Sequence, residues 1–82
     1  MGQSDLPLVR RADHVKAFQR AGFHVLKRRG KGSHVMLKKP GHPHILTLPG
    51  GVVKRALLAA QIKQAGLTIE EYLEFYWRRN WP

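Results

Sequence analysis

The chain has 82 residues, 43% of them hydrophobic, and carries 15 Lys and Arg against 5 Asp and Glu, a formal net charge of +10. An excess that large in so short a chain, with an isoelectric point near 11.0, points to a polyanionic partner. A chain of this length buries only a thin core, so a single domain spanning residues 1–82 is expected, without room for a deep small-molecule cofactor pocket beside a separate binding domain.

Cysteine is absent, which excludes disulfides, thiolate-bound zinc and thiol catalysis and is compatible with a reducing, cytoplasmic setting. No apolar run approaches the roughly 18 residues of a membrane span, and no basic-then-apolar leader opens the chain. The basic residues are spread along the chain rather than gathered on one amphipathic helix, so no membrane partner is expected.

Residues 1–9 read as an extended lead. Asp13 is placed to cap a helix running to about Gly22, with Val15 and Phe18 on its apolar face and Gly22 as the stop. Residues 23–28 read as a strand, 29–32 as a glycine-containing turn, and 33–38 as a second strand. Alternation puts Val35 and Leu37 on one face of that strand and His34, Met36 and Lys38 on the other. Pro40-Gly41-His42-Pro43 forms a turn cluster, and His44 to Leu48 reads as a third strand, apolar enough to be the central or most buried one. A second helix is expected over about Val53 to Ala65, with Leu57, Leu58 and Ile62 as core and Gly66 as the stop.

Thr68 and Glu71 have the spacing of a capping box and open a third helix with Ile69, Leu73 and Tyr76 on one side. An aromatic and basic tail, 77–82, follows. The order is helix, three-stranded meander, helix, helix, an α+β domain with its helices on one sheet face. No internal repeat or low-complexity segment interrupts it.

The densest chemistry lies in Arg28-Arg29-Gly30-Lys31-Gly32-Ser33-His34. RNA cleavage without a metal uses the 2′-OH as nucleophile on the adjacent phosphate. One group must take its proton, another must protonate the departing 5′ oxygen, and cations must stabilise the phosphorane. Imidazole, with an ordinary pKa of about 6.5, suits proton transfer near neutral pH. Lys31 with Arg28 and Arg29 suits the charge role, while Gly32 and Ser33 allow backbone N–H groups and a hydroxyl to approach phosphate. The competing reading makes His34 one more residue on a basic surface. Lys38-Lys39, Lys54-Arg55 and Arg78-Arg79 are further pairs that can bind nucleic-acid backbone without reading sequence.

The remaining histidines and tryptophans have plainer readings. His42 and His44 are two residues apart, but two imidazoles without a nearby Cys, Asp or Glu do not make a metal site, so none is expected. His14 and His24 read as surface positions. Of Trp77 and Trp81, one is expected to pack on the core and the other to lie at a contact with a partner; stacking on unpaired bases is the alternative.

The run Ala21-Gly22-Phe23, then Arg28 to His34, Leu46 to Pro49, and Ile62-Lys63-Gln64-Ala65-Gly66-Leu67 resembles the HicA/YcfA family. The resemblance spans about residues 6–75, with 77–82 as a tail outside it. It implies a double-stranded-RNA-binding-domain-like fold and a toxin that cleaves mRNA as a metal-independent endoribonuclease, with His34 as the catalytic histidine. It also implies neutralisation by a HicB-type antitoxin.

The sequence departs from the family pattern after the third strand. Gly50-Gly51-Val52 follows Pro49 where a second histidine is usual, and Ala56 stands where glycine is usual near the start of the second helix. A non-catalytic RNA-binding module of the same fold is therefore the alternative reading, and a basic interaction protein covered by an acidic partner is a third.

Overall fold

The computed structural model describes residues 2–26 and 34–78. After a 3-10 turn at Gln3–Asp5, the chain forms helix α1 (Arg11–Arg20), strands β1 (His24–Val25), β2 (His34–Lys38) and β3 (Leu46–Pro49), and helices α2 (Arg55–Gln64) and α3 (Ile69–Trp77). This is the expected α+β arrangement of helix, three-stranded antiparallel sheet and helix, with an additional C-terminal helix.

The sheet order is β1-β2-β3. In the register, Val35 faces Leu48 and Leu37 faces Leu46, while His34 faces Pro49, Met36 faces Thr47 and Lys38 faces His24. Cross-strand partners point to the same side, so the alternation sorts the sheet into two faces. Val35, Leu37, Leu46 and Leu48 are buried with Phe18, Phe23, Leu58, Ile62 and Tyr72 in one core. β2, not β3, is the central strand. β3 is nonetheless deeply covered, because α2 runs along it and the Gln61 side-chain carbonyl accepts the Thr47 backbone N–H at 3.0 Å.

Both glycine stops act as expected. At the end of α1, Gly22 (φ 105°) donates to Gln19 at 3.0 Å and Phe23 donates to Phe18 at 3.0 Å. At the end of α2, Gly66 (φ 78°) donates to Lys63 at 3.0 Å and Leu67 donates to Ile62 at 3.1 Å. Each pair of bonds is a Schellman motif, whose left-handed residue favours glycine. The following apolar residue folds back on the helix, as the edge-on contact between the Phe18 and Phe23 rings shows. The Thr68–Glu71 capping box is also present, with both reciprocal bonds made.

Three expectations need correction. α1 starts two residues before Asp13, with Arg10 in the cap position and no side-chain cap. The main chain sets this start: Arg10 bridges Val52, Arg11 donates to the Gly51 carbonyl and Val53 donates to the Val9 carbonyl. Asp13 remains in the first turn, where its charge complements the helix dipole. The lead is not wholly extended, since Gln3–Asp5 turns and brings Leu6 into the core.

His14, read as a surface residue, is 0% exposed. Its Nδ1 is hydrogen-bonded to the Tyr72 hydroxyl at 2.5 Å, and its ring packs against Tyr72 and Tyr76. This buried pair braces α3 against α1. Burial pushes His14 down to about 4, against the opposing effects of the Asp13 carboxylate and the Pro7 backbone. Burial, reinforced by Tyr76 and Asp13, pushes the Tyr72 hydroxyl well above the phenol range. Both groups are therefore neutral at pH 7.

Two outcomes follow for stability. Leu37→Ala removes a fully buried side chain and should cost about 2–5 kcal/mol in denaturant titrations. For His14 the unfolded chain binds more protons than the folded one between its ordinary value of 6.5 and about 4. Its contribution is complete above the upper value, falls by up to about 1.4 kcal/mol per unit as pH drops, and levels off below the lower one. Denaturation measured at pH 7 and pH 5 should show this loss, and His14→Phe should make the dependence shallower.

Candidate nucleic-acid interface

The pleat that buries Val35 and Leu37 turns their neighbours outward. His34 and Lys38 are exposed, Met36 is half-buried, and from the flanking strands His24 is exposed while Thr47 and Pro49 are half-buried. These six residues form the face of the sheet opposite the helices. His34 is the first residue of β2 and therefore follows directly on the basic glycine segment in sequence. Of the candidates in that segment, Arg28, Arg29, Lys31, Gly32 and Ser33 lie outside the described residues, as does Arg79 of the tail.

The sheet geometry limits which described groups can assist His34. His24 shares its face but pairs with Lys38, four residues along β2 from His34. At the rise of an extended strand, that is a separation of about 13 Å, too far for two imidazoles to act on one phosphate. On this face His34 has Pro49 directly across and Met36 and Thr47 as near neighbours. Thr47 is the hydroxyl-bearing side chain among these. The charge nearest to His34 in sequence belongs to 27–33.

The other predicted basic residues divide by what they touch. Lys38 and Lys54 are exposed, Lys38 on the open face and Lys54 at the start of α2. The Lys39 ammonium lies 5.9 Å from the centre of the Phe23 ring, so its charge also covers the apolar end of α1. The Arg55 Nε donates to the Leu6 carbonyl at 2.8 Å, which ties the N-terminal lead to α2. Arg78 lies over the Phe75 ring, 5.3 Å from its centre.

His42 has a structural task. Its Nε2–H donates to the Gln64 carbonyl at 2.6 Å, satisfying a group at the end of α2, and its ring meets Phe23 and His44 edge-on. Among the described residues no cluster of three metal-ligating side chains occurs, and no helix is long and apolar enough to cross a membrane. Trp77 is not a core residue: it is 57% exposed, with its ring edge-on to Tyr76 at 4.8 Å. Trp81 lies outside the described residues.

Sequence reasoning missed His24, Thr47 and Pro49 as parts of the open face. The strand alternation could reveal each strand's parity, but only the pairing register puts these residues beside His34 and Lys38.

Comparison with known proteins gives one family. The model described as HicA toxin of bacterial toxin-antitoxin matches residues 11–67, from the start of α1 to the residue after Gly66. A search of curated proteins found no match, and a search of solved structures found none. α3 lies outside the matched segment.

The different tasks of the basic residues give a stability test. Arg55→Ala should lower stability by about 1 kcal/mol through loss of its bond to Leu6. Lys38→Ala should stay within about 0.5 kcal/mol of the parent. Paired urea titrations would measure both.

Proposed function

This chain belongs to the HicA family of toxins from bacterial toxin–antitoxin systems, and on that premise we propose that it is a cytoplasmic, metal-independent endoribonuclease that cleaves mRNA. His34 is its proton-transfer residue, and a HicB-type antitoxin neutralises it by covering the basic surface. The observation that carries this reading is the position of His34. It is exposed on the open sheet face and adjoins a segment of three cations, two glycines and a hydroxyl.

In this mechanism RNA lies along the open face with the scissile phosphate at His34. The imidazole takes the 2′-OH proton as the 2′ oxygen attacks phosphorus. The 5′ oxygen departs with a proton from a second donor, leaving a 2′,3′-cyclic phosphate and a 5′-hydroxyl end. The cations of 28–33, Lys31 with Arg28 and Arg29, stabilise the phosphorane charge, and the Gly32 and Ser33 backbone comes close to its oxygens. Lys38, Lys39, Lys54 and Arg55 contribute electrostatic attraction to the phosphate backbone. With His24 too distant along the sheet, the second proton role falls to a side chain of 27–33 or to water.

His34→Gln should reduce cleavage by about 100-fold or more while changing RNA affinity by less than about 3-fold. A single 2′-deoxy substitution at the cleaved nucleotide should block the wild-type protein, and EDTA should leave its rate unchanged. Equal cutting of the deoxy substrate would remove the proposed nucleophile. The alternative, an RNA-binding module without catalysis, is motivated by Gly50-Gly51-Val52 after Pro49 and by Ala56, which stand where the family pattern has a second histidine and a glycine. It would show binding without strand scission across pH 6–8. In either case Lys38→Ala should make the dependence of log affinity on log salt shallower by about 1.

A further inference from the structure

A second feature lies on the helical side of the molecule, away from the open sheet face. Asp13, Lys16 and Arg20 follow one another at helical spacing along α1, and with Tyr76 of α3 they line a cleft of about 270 Å³. Lys16 and Asp13 are exposed at its surface. The Arg20 guanidinium is held by the Phe75 and Tyr76 carbonyls at 3.0 and 3.4 Å. These bonds fix its position; the last-turn carbonyls of α3 offset part of its charge without neutralising the guanidinium. Two cations thus face one carboxylate. Tyr76 brings a ring to the cleft, and the exposed Trp77 ring stands edge-on beside it. Arg78 follows in sequence, over Phe75.

We propose that this α1–α3 cleft is a second RNA-contact site, which takes one unpaired nucleotide of a single strand. Lys16 and Arg20 receive its phosphate, the Tyr76–Trp77 pair supplies a surface for the base, and Asp13 accepts from an exocyclic amino group. The combination favours RNA over an acidic peptide. Cations alone would suit either, but an aromatic pair beside one fixed cation, Arg20, and one exposed one, Lys16, matches the alternation of base and phosphate along a single strand. The cleft has room for one nucleotide but not for a helix or a folded segment. A duplex, with its bases already stacked on one another, would gain nothing from Trp77. α3 lies outside the family-matched segment, so the site combines a helix within that segment, α1, with one beyond it. The inference rests on the RNA-binding reading but not on cleavage.

The test uses the full chain carrying His34→Ala, so that RNA stays intact, in binding titrations with a short unstructured RNA and with a blunt RNA duplex. Trp77→Ala and Lys16→Ala change exposed residues; thermal melting and circular dichroism would confirm their folding. Each should weaken single-strand binding by about 5- to 10-fold, and Trp77→Ala should change duplex binding by less than about 2-fold. Trp77→Phe should recover most of the loss, which an electrostatic effect would not produce, and a merely structural effect would weaken duplex binding as well. If the parent binds RNA and both alanine variants bind the single strand equally well, the second site is overturned and the RNA-binding reading stands. If the parent binds no RNA, both fall. If the variants bind RNA normally but lose affinity for an acidic antitoxin, the cleft is a protein-docking site and the proposal is overturned.

Discussion

The physical constraint on which this molecule depends is that, among the described residues, the helices cover its sheet on one side. Val35, Leu37, Leu46 and Leu48 are buried together with residues of all three helices and Leu6 of the lead. The pleat then decides the exposure of the alternate residues. His34 and Lys38 are outside because Val35 and Leu37 are inside, and a one-residue slip of β2 would exchange the two sets. Packing and function are therefore two consequences of one register. The apolar residues that stabilise the sheet also orient its polar residues towards a partner.

The helical side is held by joints of two kinds. α1 and α2 both end in Ala-Gly-apolar sequences, whose glycines reverse the chain and return an aromatic or aliphatic side chain to the core. α3 is attached differently, through the neutral His14–Tyr72 pair and through Arg20, which binds carbonyls at the helix end. The first kind is local and can be made by a few residues in sequence. The second joins residues more than fifty positions apart and exists only once the two helices are docked. The toxin-family match covers residues 11–67, so it includes both local joints, while the long-range brace ties α1 to a helix beyond the matched segment.

Much of this was legible beforehand because it rests on local chemistry. Gly22 and Gly66 announce helix ends, Thr68 and Glu71 announce a capping box, and the alternation of β2 separates His34 from Val35. What the sequence concealed depends on distant partners. His14 looks like a polar surface residue until Tyr72 is brought beside it from the far end of the chain. The central position of β2 could not be inferred from apolar content, because β3 is covered by α2 rather than by a second neighbouring strand. Arg55 and Lys54 are neighbours of similar charge in sequence, yet the Leu6 carbonyl gives Arg55 a structural task that Lys54 does not share. The family resemblance pointed to His34, but the register was needed to show that His24 lies too far along the sheet to be its companion.

The contact between Gln61 and Thr47 bears on how such a small sheet stays solitary. In this register the main-chain groups of Thr47 and Pro49 point away from β2, along the outer edge of β3. Thr47 has its N–H occupied by a side chain of the same molecule, and Pro49 has none to offer. The opposite border, β1, is only two residues long. Among the described residues, neither border presents the row of vacant donors by which one sheet extends another. These described strand edges therefore disfavour joining edge to edge, and leave the faces, where His34 and Lys38 are exposed, as the surfaces open to contact.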